Sequence, residues 1–390
     1  SFVIVTGPAL SYCAPFLKSR FSHSKVGAIH YSTAFSDSDK EWDFVFYLSD
    51  NDLELSQKLF NFMGEEGLSS CFFLSGQPSQ QAFEKEYIQT WGQIKKSLLK
   101  SRDILGTREY FSLRWAKNSV KFCSFITKTL SLQKKGNCPI IIVASGPSLK
   151  SSLPFLKKYR DAFFLLALSS AYITLLNFGL EADLLLSTDG GYWAKKHIEA
   201  ESFYSRKQDI KLALSLEAAC PTKILKEASI LPLSYGDGIS ESFIKTFFAD
   251  SAFKAKRNGT VSGTAAYLAL NLTTGPIFFC GLDLSTSKSF VHTAPNALEI
   301  AKESVDFRLG TKETRLTPSI FNSASLNIYR DWFKTETFAG RIMRLSDNYP
   351  YQNKLSLKDV DWDIFLQVTN SGKKELQDEK PIFQEKELPK

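Results

Sequence analysis

With 390 residues, 43% of them hydrophobic and 23% charged, the chain has the make-up of a soluble globular protein with room for two or three cores. A net charge of +7 is a modest excess at this length. With no RGG-like tract and no basic run interleaved with aromatics, nucleic-acid binding is not expected. The six cysteines, Cys13, Cys71, Cys123, Cys138, Cys220 and Cys280, form no C-x-x-C pair and have no histidine at metal-ligand spacing, which predicts free thiols in a reducing cytoplasm and no metal site.

In chain order, the N-terminus is apolar but lacks a basic leader, so no signal peptide is expected. Residues 1–135 read as an α/β and helical region of their own. Asp43–Leu48 is a strand, Asn51-Asp52 caps a helix through Phe62, and Ser70–Leu74 is a second strand. From Ser79 to Leu132 the pattern is helical, its Lys and Arg forming a solvated face. A linker, Gln133–Asn137, leads into a central region over 136–346.

There, apolar runs at Ile140–Ala144, Phe163–Leu168, Leu184–Ser187, Lys211–Leu216 and Ile277–Gly281 alternate with helical segments at Leu153–Lys158, Ile173–Phe178, Tyr192–Glu199, Pro221–Ala228 and Ser262–Leu272. Such alternation predicts a mostly parallel sheet with helices on both faces. Two uncharged stretches, Ala162–Leu180 and Gly259–Leu282, approach the ~20 residues of a membrane span. Polar residues interrupt both, so each reads as a buried strand plus a buried helix, with no span. Beyond His292 the chain turns polar. A helix is predicted over Ser323–Phe333, 347–390 is a helical extension, and Ser371–Lys390 is a mobile tail. No internal repeat is read. The fold class is α/β, with a Rossmann-like central domain.

Small polar residues stand where the parallel strands end: Ser145-Gly146-Pro147-Ser148, Ser169-Ser170, Ser187-Thr188-Asp189-Gly190-Gly191 and Gly281-Leu282-Asp283. Asn258–Thr264 adds hydroxyls and N–H groups at the start of an apolar helix. In open α/β sheets, ligands bind beyond the carboxyl ends of the strands, so these turns point to one nucleotide pocket. Gly146 permits close approach, Pro147 stiffens the turn, and Ser148 either caps the next helix or donates to an anion. Neither G-x-x-x-x-G-K-[ST] nor G-x-G-x-x-G occurs, which disfavours a P-loop ATPase and a dinucleotide dehydrogenase.

Ile140–Leu149 resembles the strand–GxGPSL opening shared by the motility accessory factor glycosyltransferases, the hydroxymethylpterin diphosphokinase-like family and the bacterial CMP-sialic-acid sialyltransferases. Thr260–Thr264, the apolar stretch to Leu272 and Ile277–Leu284 resemble their TSG–helix–strand–GxD block, and Ala182–Asp189 is similar to their PD–strand–D element. The resemblance covers Pro139–Ser346. It implies a nucleotide at the GPSL turn, with Gly146, Pro147 and Ser148 on its phosphate or ribose. Ser169 stands where the sialyltransferases have a cytidine-contacting Asn, Thr188-Asp189 faces donor or acceptor, and Ser262-Gly263 approaches the nucleotide. Asp283 forms the site floor or a structural cap.

The sialyltransferase base histidine is missing from Arg315–Ser319, while His292 follows the GxD strand and His197 follows the Asp189 turn. The resemblance implies a cytoplasmic glycosyltransferase. It would use a nucleotide-activated sugar, such as a CMP-nonulosonic acid, to modify Ser/Thr of a protein such as flagellin, with His292 or Asp189 as base. Diphosphate transfer from ATP to a pterin alcohol, with Mg²⁺ on Asp189 and Asp283, is the alternative reading; a non-catalytic nucleotide-binding assembly protein is the third. No other cofactor is implied.

Overall fold

Ile140-Ile141-Ile142-Val143 is buried on both faces, with alternate side chains entering two different cores, as a central parallel strand requires. This strand organises the larger of two units, Ser1–Ser112 and Leu113–Lys390, into which the chain divides. The computed structural model describes all residues except 49–53, 200–209, 286–291, 301–306, 311–323, 337, 347–354, 372–378 and 389–390. Asn51-Asp52 and Arg315–Ser319 lie outside the described residues.

The smaller unit runs β1 (Phe2–Thr6), α1 (Ala14–Arg20), β2 (Lys25–His30), β3 (Phe44–Tyr47), α2 (Leu55–Ser69), β4 (Cys71–Ser75) and α3 (Gln77–Ala82). Its parallel sheet has the order β3-β2-β1-β4. A long helix, α4 (Glu84–Phe125), follows, and the division between units falls inside it rather than at the 135/136 composition shift. Helix does not continue to Leu132 as the pattern suggests, because Lys128–Lys134 forms β5.

The larger unit continues with β6 (Ile140–Val143), α5 (Leu149–Lys158), β7 (Phe164–Leu168), α6 (Ser169–Asn177), β8 (Leu184–Ser187), α7 (Tyr192–Glu199) and β9 (Lys211–Ser215). Next come α8 (Thr222–Glu227), β10 (Ser229–Ser234), α9 (Gly238–Phe247), β11 (Phe253–Lys254), α10 (Val261–Leu272) and β12 (Ile277–Cys280). The chain ends with α11 (Ala297–Ile300), α12 (Ala324–Thr335), β13 (Ile342–Leu345), β14 (Lys358–Val360), α13 (Trp362–Ser371) and β15 (Ile382–Glu387).

Its sheet has the order β14-β13-β12-β6-β7-β8-β9-β10-β5-β15, with β11 paired to β10. Every pairing is parallel except β15 with β5. The run β8-β7-β6-β12-β13 is the Rossmann order, and strand succession reverses between β6 and β12. The tail expected to be mobile contributes β15, and β14 joins the same sheet, so 347–390 is more than a helical extension. Helix α10 is apolar on nearly every side because it is buried against the sheet, and no helix among the described residues is long and apolar enough to cross a membrane.

Candidate functional site

The loops after β6 and β12 meet at backbone contact distance. A Cβ on Gly146 would lie 2.4 Å from the Gly281 carbonyl oxygen; one on Gly281, whose φ is +70°, would lie 2.3 Å from that of Ala144. Gly146 N–H donates to Gly281 O at 2.8 Å. This close crossing delivers Asp283 to the first turn of α5, where Ser148 N–H donates to Oδ2 at 2.7 Å and Ser148 Oγ to Oδ1 at 2.5 Å. Ser148 makes no side-chain cap to α5. Its hydroxyl goes to an anion, and that anion is the chain's own buried carboxylate, set at the positive end of the helix. Leu149 N–H is also used internally, on Gly146 O. The GPSL turn therefore offers a ligand its half-buried Gly146-Pro147 surface, while its anion-binding N–H groups are spent on Asp283 and the turn itself.

A polar chain leaves the same turn. Ser145 Oγ donates to Ser170 Oγ at 2.9 Å and lies 2.5 Å from His292 Nδ1. One hydroxyl carries one proton; with it directed to Ser170, Nδ1–H of His292 donates to Ser145 and Nε2 keeps its lone pair. Thr293 holds this histidine against the turn, its N–H on Ser145 O at 2.7 Å and its Oγ1 on Gly146 O at 2.5 Å. The His197 ring, carried by α7, meets the His292 ring edge-on with centroids 6.0 Å apart. Burial pushes both histidines down to about 4, with His292 as a second, electrostatic cause at His197. Both rings are therefore neutral at pH 7.

A second group gathers at the ends of β8, β9 and β10. Arg257 is clamped by Glu217, at 2.8 and 2.9 Å, and by Asp237 at 2.8 Å, and its guanidinium lies over the rings of Trp115 and Tyr235 at 5.2 and 4.4 Å. Ser240 completes the buried Glu217 carboxylate at 2.9 Å. The Tyr235 hydroxyl bonds the side chains of Ser215 and Thr188, and burial raises its pKa. Asp189 is exposed; its Oδ1 accepts from Gly191 N–H at 2.7 Å, and its charge helps burial raise the pKa of Tyr329 on α12. Among the described residues, no group of three or more His, Cys, Asp or Glu is placed to hold a metal ion.

Of the residues singled out in the sequence, Gly146, Ser148, Asp283, His292 and His197 form one connected cluster, and Thr188 belongs to the Tyr235–Arg257 group. Ser169 opens α6 and is buried. Ser262 and Gly263 are buried at the start of α10; Thr260 caps Gly263 N–H at 3.3 Å, and the Trp332 ring covers the Gly263 Cα. Ser145 and Ser170 were read as parts of the strand-end turns but without their link to His292, and Glu217, Tyr235, Asp237 and Arg257 were not read as site residues. Glu217 immediately follows the predicted strand Lys211–Leu216 and was visible in principle. Tyr235 and Asp237 went unseen with β10, whose Pro232 interrupts an otherwise strand-like run.

Residues 113–289 match the model of the 6-hydroxymethylpterin diphosphokinase MptE-like family. A protein of Treponema pallidum (strain Nichols), described only as an uncharacterized protein, is 27% identical over 280 residues, covering 70% of this chain and 59% of that protein. The solved structure of a MAf glycosyltransferase from Magnetospirillum magneticum AMB-1 superimposes with a TM-score of 0.53 at 12% identity, over 95% of this chain and 61% of that one. This chain thus spans about three-fifths of the length of each, and the second likeness is one of fold.

Proposed function

From a chain that carries an MptE-like segment within the fold of a motility accessory factor glycosyltransferase, we propose a glycosyltransferase-like protein that takes a nucleotide-activated sugar to a protein hydroxyl. The donor class is a CMP-nonulosonic acid and the acceptor a Ser or Thr of a protein such as flagellin.

The supporting observation is His292, neutral, oriented by Ser145 and bearing its free lone pair on Nε2 beside the switch point between β6 and β12. The acceptor oxygen attacks the anomeric carbon, its proton passes to Nε2, and the bond from that carbon to the phosphate oxygen breaks with its electron pair leaving on CMP. Gly146 and Pro147 form the wall of the nucleotide pocket. The leaving phosphate lies against the first turn of α6, which has no side-chain cap and begins with Ser169 and Ser170. Asp189 and Thr188, at the end of β8, face the acceptor.

The diphosphokinase alternative needs Mg²⁺ between carboxylates. Of the pair the sequence offers, Asp283 has both oxygens on Ser148, so the residues do not fit a shared Mg²⁺, and Asp189 is left alone.

Thermal unfolding with CMP, with UDP and with ATP plus Mg²⁺ tests this. CMP at a hundred times its Kd adds about 2.7 kcal/mol, and the other two leave the midpoint unchanged. His292→Ala keeps the CMP shift and loses roughly 10²–10⁴ in transfer from a CMP-nonulosonic acid to flagellin. An ATP–Mg²⁺ shift in place of the CMP shift selects the kinase. Silence toward all three selects the assembly protein.

A further inference from the structure

The smaller unit opens with the same device as the larger one, a repeat that the linear reading missed. After β1 comes Gly7-Pro8-Ala9-Leu10, and after β6 comes Gly146-Pro147-Ser148-Leu149. At the same further spacing stand Pro15-Phe16-Leu17-Lys18 in α1 and Pro154-Phe155-Leu156-Lys157 in α5. Each β-strand concerned sits at the switch point of its own sheet, in the orders β3-β2-β1-β4 and β8-β7-β6-β12. Each turn is crossed closely by a glycine from the strand beyond. A Cβ on Gly76 would lie 2.4 Å from Gly7 O, and Gly76 N–H donates to Thr6 O at 2.9 Å.

The two copies differ at the polar bridge. The position of Ser148 is Ala9, and the position of Asp283, two residues past the crossing glycine, is Pro78. Both partners of a buried hydrogen-bonded pair are replaced together by side chains that can neither donate nor accept. In the larger unit the bridge draws the turn onto the β12 loop. At the corresponding place the smaller unit has a pocket of about 490 Å³, lined by Pro8, Ala9, Tyr12, Leu17, Leu74 and Pro78 among others, with no charged side chain in its wall. Ala9 and Ser11 hold left-handed backbone, φ +51° and +62°, and Trp42 Nε1 and Ser38 pin the Ser11 hydroxyl at 2.8 Å each. The wall is thereby fixed in place.

We propose that this pocket binds an uncharged, largely apolar small molecule, of the size that cavities of roughly 300–1,000 Å³ enclose. A phosphate-bearing ligand finds no cation there, and α1, with 7 residues, is too short to serve as an anion site. Leu10 and Tyr12, 57% and 78% exposed, line the open side of the pocket and give an entering ring apolar contact.

The test is fluorescence titration of the full chain with N-phenyl-1-naphthylamine, a neutral dye that brightens in apolar sites. The dye saturates with one site per chain, and CMP does not displace it. Leu74→Asp and Leu10→Asp, both at solvent-accessible positions of the pocket, each raise the dissociation constant at least tenfold without moving the thermal midpoint. Leu113→Asp, at a still more exposed apolar residue outside the pocket, leaves it unchanged. A signal that does not saturate, one that CMP displaces, or one that Leu113→Asp weakens as much as the pocket variants overturns the proposal.

Discussion

His197 and His292 are desolvated bases that the unfolded chain protonates near pH 6.5 and the folded chain only near 4. Between those values the unfolded state binds more protons, so stability falls as the pH drops through the window and is constant above it. Each ring contributes up to about 3 kcal/mol of that loss, complete only below pH 4. His30, also buried, is shifted the same way, mainly by desolvation, against the opposing pull of Asp39. Urea unfolding midpoints should hold level from pH 7.5 to about 6.5 and decline from there to pH 4.5, and His197→Gln should flatten part of the slope. A pH-independent midpoint would mean that these rings are protonated or solvated in the folded chain. The same charge state keeps Nε2 of His292 available as a base throughout the neutral range.

At the scale of elements, the crossing of the β6 and β12 loops rests on two glycines with different tasks from the turn glycines. Gly281 combines a positive φ with a backbone oxygen 2.3 Å from its would-be Cβ; Gly236 has φ +75° and nothing within 4 Å. Gly236→Ala should cost about 1 kcal/mol, the left-handed penalty alone. Gly281→Ala should cost on the order of 3 kcal/mol, because backbone must also move. Equal losses in denaturant unfolding would remove the close approach from the account.

Strands β6, β7, β8, β9 and β12 were legible to within a residue, since unbroken apolar runs ending at Gly, Ser or Pro have few other readings. Eight strands were not, β2, β11, β13 and β14 among them. Pro232 hides β10, β5 alternates weakly beside a long helix, β15 is half charged, and β1 precedes a turn whose kinship appears only beside its copy. The GPSL turn was legible as a motif, but its partner was not. Asp283 lies 135 residues from Ser148, and only the sheet order brings them together. His292 was singled out from its place after the GxD strand, whereas the Ser145 contact that fixes its tautomer spans 147 residues and has no local signature.

At the scale of the whole molecule, the long sheet has one antiparallel pairing, β15 on β5, at its far margin. Glu385 of β15 ion-pairs Lys128 at 3.1 Å and hydrogen-bonds Ser229, contacts that also hold its carboxyl below the usual range. Leu388 N–H then donates to Thr127 O at 2.8 Å. Truncation after Lys380 should lower the thermal midpoint and produce scattering that grows with protein concentration. Unchanged scattering would show that β5 needs no cover.

The outward-facing side of β15 has further meaning. Gln384, Glu385, Lys386 and Glu387 are exposed, a row of mixed charge along a margin that would otherwise recruit a stray strand. A seam stitched by a polar ribbon ends the sheet's growth, so that one chain does not become the template for the next.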